Sequence, residues 1–218
     1  MQKNIYSLIL SENVVAAVDR LAYSMHTNRS NMINQILAEY VSYVTPEKRM
    51  QQIFNQLESM LSRGDAFQIL TQPSASAFQL RSALAYKYNP TIRYHVELYR
   101  QTGPAVGELR VSLRTQNSTL GLYVIQFFKL WSKIEHFYRM GTEITLEDGK
   151  LIKKLNLPVS DKEAEMDPEI LAGAISAYIN AFDAAIKAFF YQINEPEAAT
   201  AEVERIYKDY LKNSVFPI

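Results

Sequence analysis

The chain has 218 residues with 23 basic and 23 acidic side chains, so its net charge is zero, which is not a nucleic-acid binder's usual balance. It has no cysteine, which excludes disulfides and thiolate metal sites and suits a reducing cytoplasm. The apolar share of 48% is that of a folded protein rather than a disordered one.

The amino terminus has no apolar run of signal-peptide length. Residues 4–11 read as a short extended stretch, Asn4-Ile5-Tyr6-Ser7-Leu8-Ile9-Leu10-Ser11. A helix follows over 12–25, with Val14, Val18, Leu21 and Met25 on one stripe of a 3.6-residue repeat. Ser11 stands at its N-cap position. A second helix is expected over 28–44, capped by Asn28, with Ile33, Ile36, Leu37, Tyr40, Val41 and Val44 as its apolar face. His26-Thr27 is a tight polar link between them.

This order of strand, capped helix, tight link and capped helix resembles the ribbon-helix-helix DNA-binding family of bacterial and phage repressors and plasmid proteins. The residues that carry the resemblance are Tyr6-Ser-Leu-Ile-Leu-Ser-Glu-Asn-Val14 and Asn28-Arg-Ser-Asn-Met-Ile-Asn-Gln-Ile-Leu-Ala-Glu-Tyr40. They cover roughly a fifth of the chain. The resemblance implies a homodimer through residues 4–44, with paired strands forming a ribbon in the major groove of double-stranded DNA. Elementary physics agrees, because one strand and two short helices cannot bury enough surface alone and a lone strand is a pairing template.

By position in the family, Tyr6, Leu8 and Leu10 pack on the helices, while Ile5, Ser7 and Ile9 face the bases. Lys3 and the start of the second helix, Asn28, Arg29 and Ser30, would meet phosphates, where free amides and the helix dipole favour an anion. The family usually has polar or basic residues at the base-facing positions, and here two are Ile. A strand apolar on both faces also fits burial within a larger protein, with the domain kept only for pairing.

Thr45-Pro46 ends the second helix or caps a third one carrying Met50, Ile53, Phe54, Leu57 and Leu61. Residues 65–76 read as a linker. Residues 91–99 and 108–114 alternate and predict an antiparallel hairpin with one apolar and one basic face. Its outer residues Arg93, His95, Arg110 and Arg114 form either a second anion patch or an ordinary charged outer face. Residues 78–139 hold nine basic and three acidic side chains, so the most basic territory lies outside the amino-terminal stretch.

A helix over 118–140 carries Leu120, Val124, Phe127, Trp131, Ile134 and Tyr138. A second hairpin is expected over 143–155, turning at Asp148-Gly149. The acidic stretch 158–169 is a surface connection. Asp167-Pro168 starts a helix to about residue 193, with Leu171, Ile175, Tyr178, Phe182, Ile186, Phe189 and Ile193 suited to a helix–helix seam within or between subunits. Asn180, Asp183 and Lys187 break this stretch, so no membrane span is read there. A last helix runs over 196–213.

The expected fold is therefore mainly α with small antiparallel β (α+β): a ribbon-helix-helix dimerisation domain at 1–45, a helix and linker at 46–75, and a helix-rich domain at 76–218 with one or two β-hairpins. No phosphate loop, metalloprotease motif or nucleophile elbow is present. The three histidines, His26, His95 and His136, stand apart, so no enzyme activity, cofactor or metal is expected. The expected function is sequence-specific DNA binding, most commonly as a repressor, from a bacterium, phage or mobile element. A plasmid-maintenance or conjugation accessory role is one alternative. A structural protein that uses the fold only for oligomerisation is another. A cytoplasmic location is expected.

Overall fold

The computed structural model describes residues 7–41, 43–70, 74–87, 89–100, 105–156 and 167–218. The chain divides into two compact units, Met1–Arg49 and Met50–Ile218.

The first unit contains α1 (Glu12–Ser24) and α2 (Arg29–Tyr40). Ser11 takes the extended backbone of an N-cap, but its side chain makes no capping hydrogen bond. Asn28 does cap α2, accepting from the Asn31 amide at 2.9 Å. Between the helices, His26 adopts a left-handed φ of 50°, which lets the chain reverse in two residues. The shared core is small: Val18, Ala22 and Met32, with Ile33 packed against it. The helix α3 (Pro46–Leu61) begins in this unit, where the Thr45 hydroxyl accepts from the Lys48 amide.

Among the described residues, the second unit is built on one six-stranded antiparallel sheet. Its strands are β1 (Phe67–Ile69), β2 (Ala77–Ala83), β3 (Thr91–Leu98), β4 (Ala105–Leu113), β5 (Ile144–Glu147) and β6 (Lys150–Asn156). Their spatial order is β1-β2-β3-β4-β6-β5. The edges are short, three residues in β1 and four in β5. Helices α4 (Ser118–Tyr138), α5 (Pro168–Tyr191) and α6 (Pro196–Asn213) complete the unit.

The strand period of two sorts the sheet. Phe78, Leu80, Ile92, Tyr94, Val96, Leu109, Val111, Leu151 and Leu155 face one way. They share a single core with Phe54 and Leu57 of α3, Phe127 and Trp131 of α4, Phe182 of α5 and Tyr207 of α6. Trp131 holds it together by ring contacts to Phe182 at 5.1 Å and Tyr207 at 5.2 Å. Leu171, Ile175, Tyr178, Phe182 and Ile186 of the α5 stripe are buried here, with ring contacts to α4, α6 and the sheet. By length and composition α5 could cross a membrane, but 67% of its apolar window is buried inside the protein.

The expected fold class needs correcting. The β component is not one or two hairpins. Both expected hairpins exist, as β3–β4 and β5–β6, but β4 pairs with β6 and fuses them into a large sheet that β1 and β2 extend. Strand β1 lies where a linker is expected. No described residue before Phe67 is in a strand, so the amino-terminal ribbon strand is not seen either. Ser7, Leu8, Ile9 and Leu10 are exposed and belong to no strand or helix. Lys3, Ile5 and Tyr6 lie outside the described residues.

Candidate nucleic-acid interface

Two surfaces contain the sequence-derived site residues, one in each unit. In the first, Asn28, Arg29 and Ser30 open α2 as expected. Asn28 spends its side chain on the cap. Arg29 is not free: its Nε and Nη2 donate to the two carboxylate oxygens of Asp19 on α1, each at 2.6 Å. The fork-on-carboxylate geometry is the strong form of this contact. It lowers the Asp19 pKa and raises that of Arg29. Ser30 is exposed. Ser7 and Ile9 are exposed too, Ile9 completely. Lys3 and Ile5 fall outside the described residues.

Around these groups the unit leaves apolar side chains in solvent. Val14, Leu21 and Met25 of the first helical stripe and Ile36, Leu37, Tyr40 and Val41 of the second are all exposed. Of the expected stripes only Val18 and part of Ile33 are covered, and α2 buries Met32 and Ala38 instead.

The second surface is the sheet face opposite the core, where register aligns the outward side chains in rows. One row runs Gln68, Arg81, Arg93, Ser112, Lys150 and Glu147, each opposite the next on the neighbouring strand. The next runs Gln79, His95, Arg110 and Ile152. A third runs Ala77, Glu97, Glu108 and Lys154. The face is therefore polarised along the strands, basic at one end and acidic at the other.

Of the four residues expected as a patch, the structure separates two from two. Arg110 is neutralised by Glu97 at 3.2 Å and by Glu108. His95 accepts at Nδ1 from Gln79 Nε2 at 2.8 Å, since an amide nitrogen can only donate; its proton then sits on Nε2, facing Glu97 at 3.9 Å. Burial, then the Arg110 charge, lower the His95 pKa against the opposing pull of Glu97 and Glu108. Glu108 is the hub of the acidic end, accepting from Tyr99 at 2.7 Å and Lys154 at 2.6 Å. Burial raises its pKa, but these donors and Arg110 outweigh that and hold it below the ordinary value.

Arg93 and Arg114 remain exposed. Sequence reasoning missed Arg81 and Lys150, which share a row with Arg93. Their outward phase was readable only once β2 and the β4–β6 pairing were known. Among the described residues no group of three or more His, Asp or Glu is placed to hold a metal ion. Comparison with family models, curated proteins and solved structures gave no match.

Proposed function

We propose that the protein is a homodimeric double-stranded DNA-binding protein that pairs through its amino-terminal unit. The observation that carries the reading is the apolar surface of that unit. Two short helices expose Val14, Leu21, Met25, Ile36, Leu37, Tyr40 and Val41 around a core of only a few side chains. A unit of this size buries too little to stand alone, and apolar side chains left in solvent in this number point to an association site. A second copy of the unit would supply the same apolar surface and cover it. Repression is the commonest role that the family resemblance suggests, with plasmid maintenance or conjugation next. The lack of cysteine fits a cytoplasmic site of action.

The experiment is sedimentation equilibrium with a duplex-binding titration on the same samples. The reading expects a dimer, conversion to monomer by Leu21→Glu with Leu37→Glu, and DNA affinity that falls with salt and with loss of the dimer. A wild-type monomer, or DNA binding absent at low salt, would sink it.

A second reading, assembly without DNA contact, is favoured by one specific observation. Arg29, the basic side chain best placed at the α2 start, is already occupied by Asp19. A dimer that shows no salt-dependent DNA binding selects this alternative.

A further inference from the structure

We propose that the basic end of the open sheet face is a second contact surface for the phosphate backbone of duplex DNA. The inference rests on the DNA-binding reading and extends it to the second unit.

Its first support is register. Arg81 and Arg93 lie directly opposite each other on adjacent strands, about 4.8 Å apart in a sheet. Like charges in that position destabilise a sheet. Neither has a carboxylate partner among the described residues: Arg81 donates only from Nε, to the neutral Gln68 oxygen at 2.8 Å, and Arg93 is exposed. The same face shows that the fold can neutralise its arginines, because Arg110 has two glutamates. Leaving two arginines abutting and unneutralised makes sense if an anion joins them.

The second support is extent. Ser112 and Lys150 continue the row, so its cations span three strand spacings, about 14 Å. Arg114, just past the end of β4, is exposed as well. Glu147 opposite Lys150 is the one carboxylate in the row. A spread of cations in two directions suits a chain of phosphates better than a single small anion.

The third support decides the occupant. Single strands are held by aromatic platforms on which bases stack. The row offers arginine, lysine, serine and glutamine, and no aromatic ring. The aromatic Tyr99 is engaged with Glu108 and Lys154 instead. Backbone contact with an already stacked duplex is the chemistry the surface supports.

The test uses the full chain and a random-sequence 30-base-pair duplex, with affinity measured across a salt series. Arg81→Gln with Arg93→Gln should reduce the slope of log affinity against log salt by about 2 for each protomer on the duplex and weaken binding at 0.1 M salt by tenfold or more. Arg110→Gln should leave the slope unchanged. Because one of two opposed charges is removed, Arg81→Gln alone should keep or raise the melting temperature, which separates lost contact from lost fold. An unchanged slope in the double variant overturns the proposal while leaving the dimeric DNA-binding reading intact. Absence of wild-type DNA binding removes both. Equal competition by an oligothymidylate or by polyglutamate overturns the assignment to a duplex.

Discussion

Lys153 donates from Nζ to Oε1 of Glu135 where neither side chain reaches solvent. Glu135 projects from α4 and Lys153 from the inward side of β6, so the pair ties helix to sheet through the core. The second carboxylate oxygen accepts from Tyr178 at 2.7 Å, and Tyr178 in turn accepts from Trp131 at 2.8 Å. The ammonium also lies 4.8 Å over the Tyr178 ring. Burial lowers the Lys153 pKa, and the Glu135 charge opposes that shift.

Breaking such a pair on one side strands a charge in the interior. Lys153→Ala or Glu135→Ala should each cost about 3–5 kcal/mol, measured by urea unfolding. Replacing both, Lys153→Met with Glu135→Leu, should recover most of that loss, because well-packed apolar groups need no desolvation. A double variant no better than the singles would show that the pair cannot be replaced by packing.

Stability should depend on His95 in acid. Its folded pKa lies below the ordinary 6.5, so the unfolded chain takes up the proton first as pH falls. The His95 contribution is complete above 6.5 and is lost progressively from there down to the depressed folded value. The urea midpoint should decline across that interval, and His95→Gln should remove that part of the decline.

Gly107 sits at the bulge where β4 changes register against β6. A Cβ there would collide with the backbone oxygen of Glu97 on β3. Backbone cannot step aside as a flexible side chain does, so Gly107→Ala should destabilise by about 2 kcal/mol or more. Thermal unfolding measures it, with Gly64→Ala as a control, since nothing lies within 4 Å of a Cβ at that position.

Asp19→Asn releases Arg29 from its fork. On the DNA-binding reading, the freed guanidinium adds one phosphate contact per protomer. Duplex affinity at 0.1 M salt should rise several-fold, and the salt slope should steepen by roughly 1 for each added contact. Arg29→Gln should show neither change relative to the wild type.

The helical stripes were readable because burial enforces a period that a linear scan detects. Val124, Phe127, Trp131 and Ile134 of α4, and Leu171, Ile175, Tyr178 and Phe182 of α5, are all buried. The Asp148-Gly149 turn is present too, with both residues at positive φ. What escaped was the part that only tertiary pairing decides. Strand β1 has three residues, too few to show a period. In β2 the inward series Phe78, Leu80 breaks at Ser82, which is buried without being apolar. Lys153 was readable in principle: it alternates in phase with Leu151 and Leu155, and only the presumption that lysines face water hid it. Of the basic side chains on the sheet face, Arg93 and Arg114 could be found from local alternation. Arg81 could not, because the period of β2 is broken at Ser82, and Lys150 could not, because its row is set by pairing with Ser112 on β4, far away in sequence.

The outermost strands of the sheet have a consequence for how this protein meets copies of itself. A long exposed rim of unpaired amides and carbonyls would recruit further chains and grow without limit. With three residues at one rim and four at the other, there is too little ladder to seed a fibre. Among the described residues, the large units can therefore lie side by side without zipping into one another.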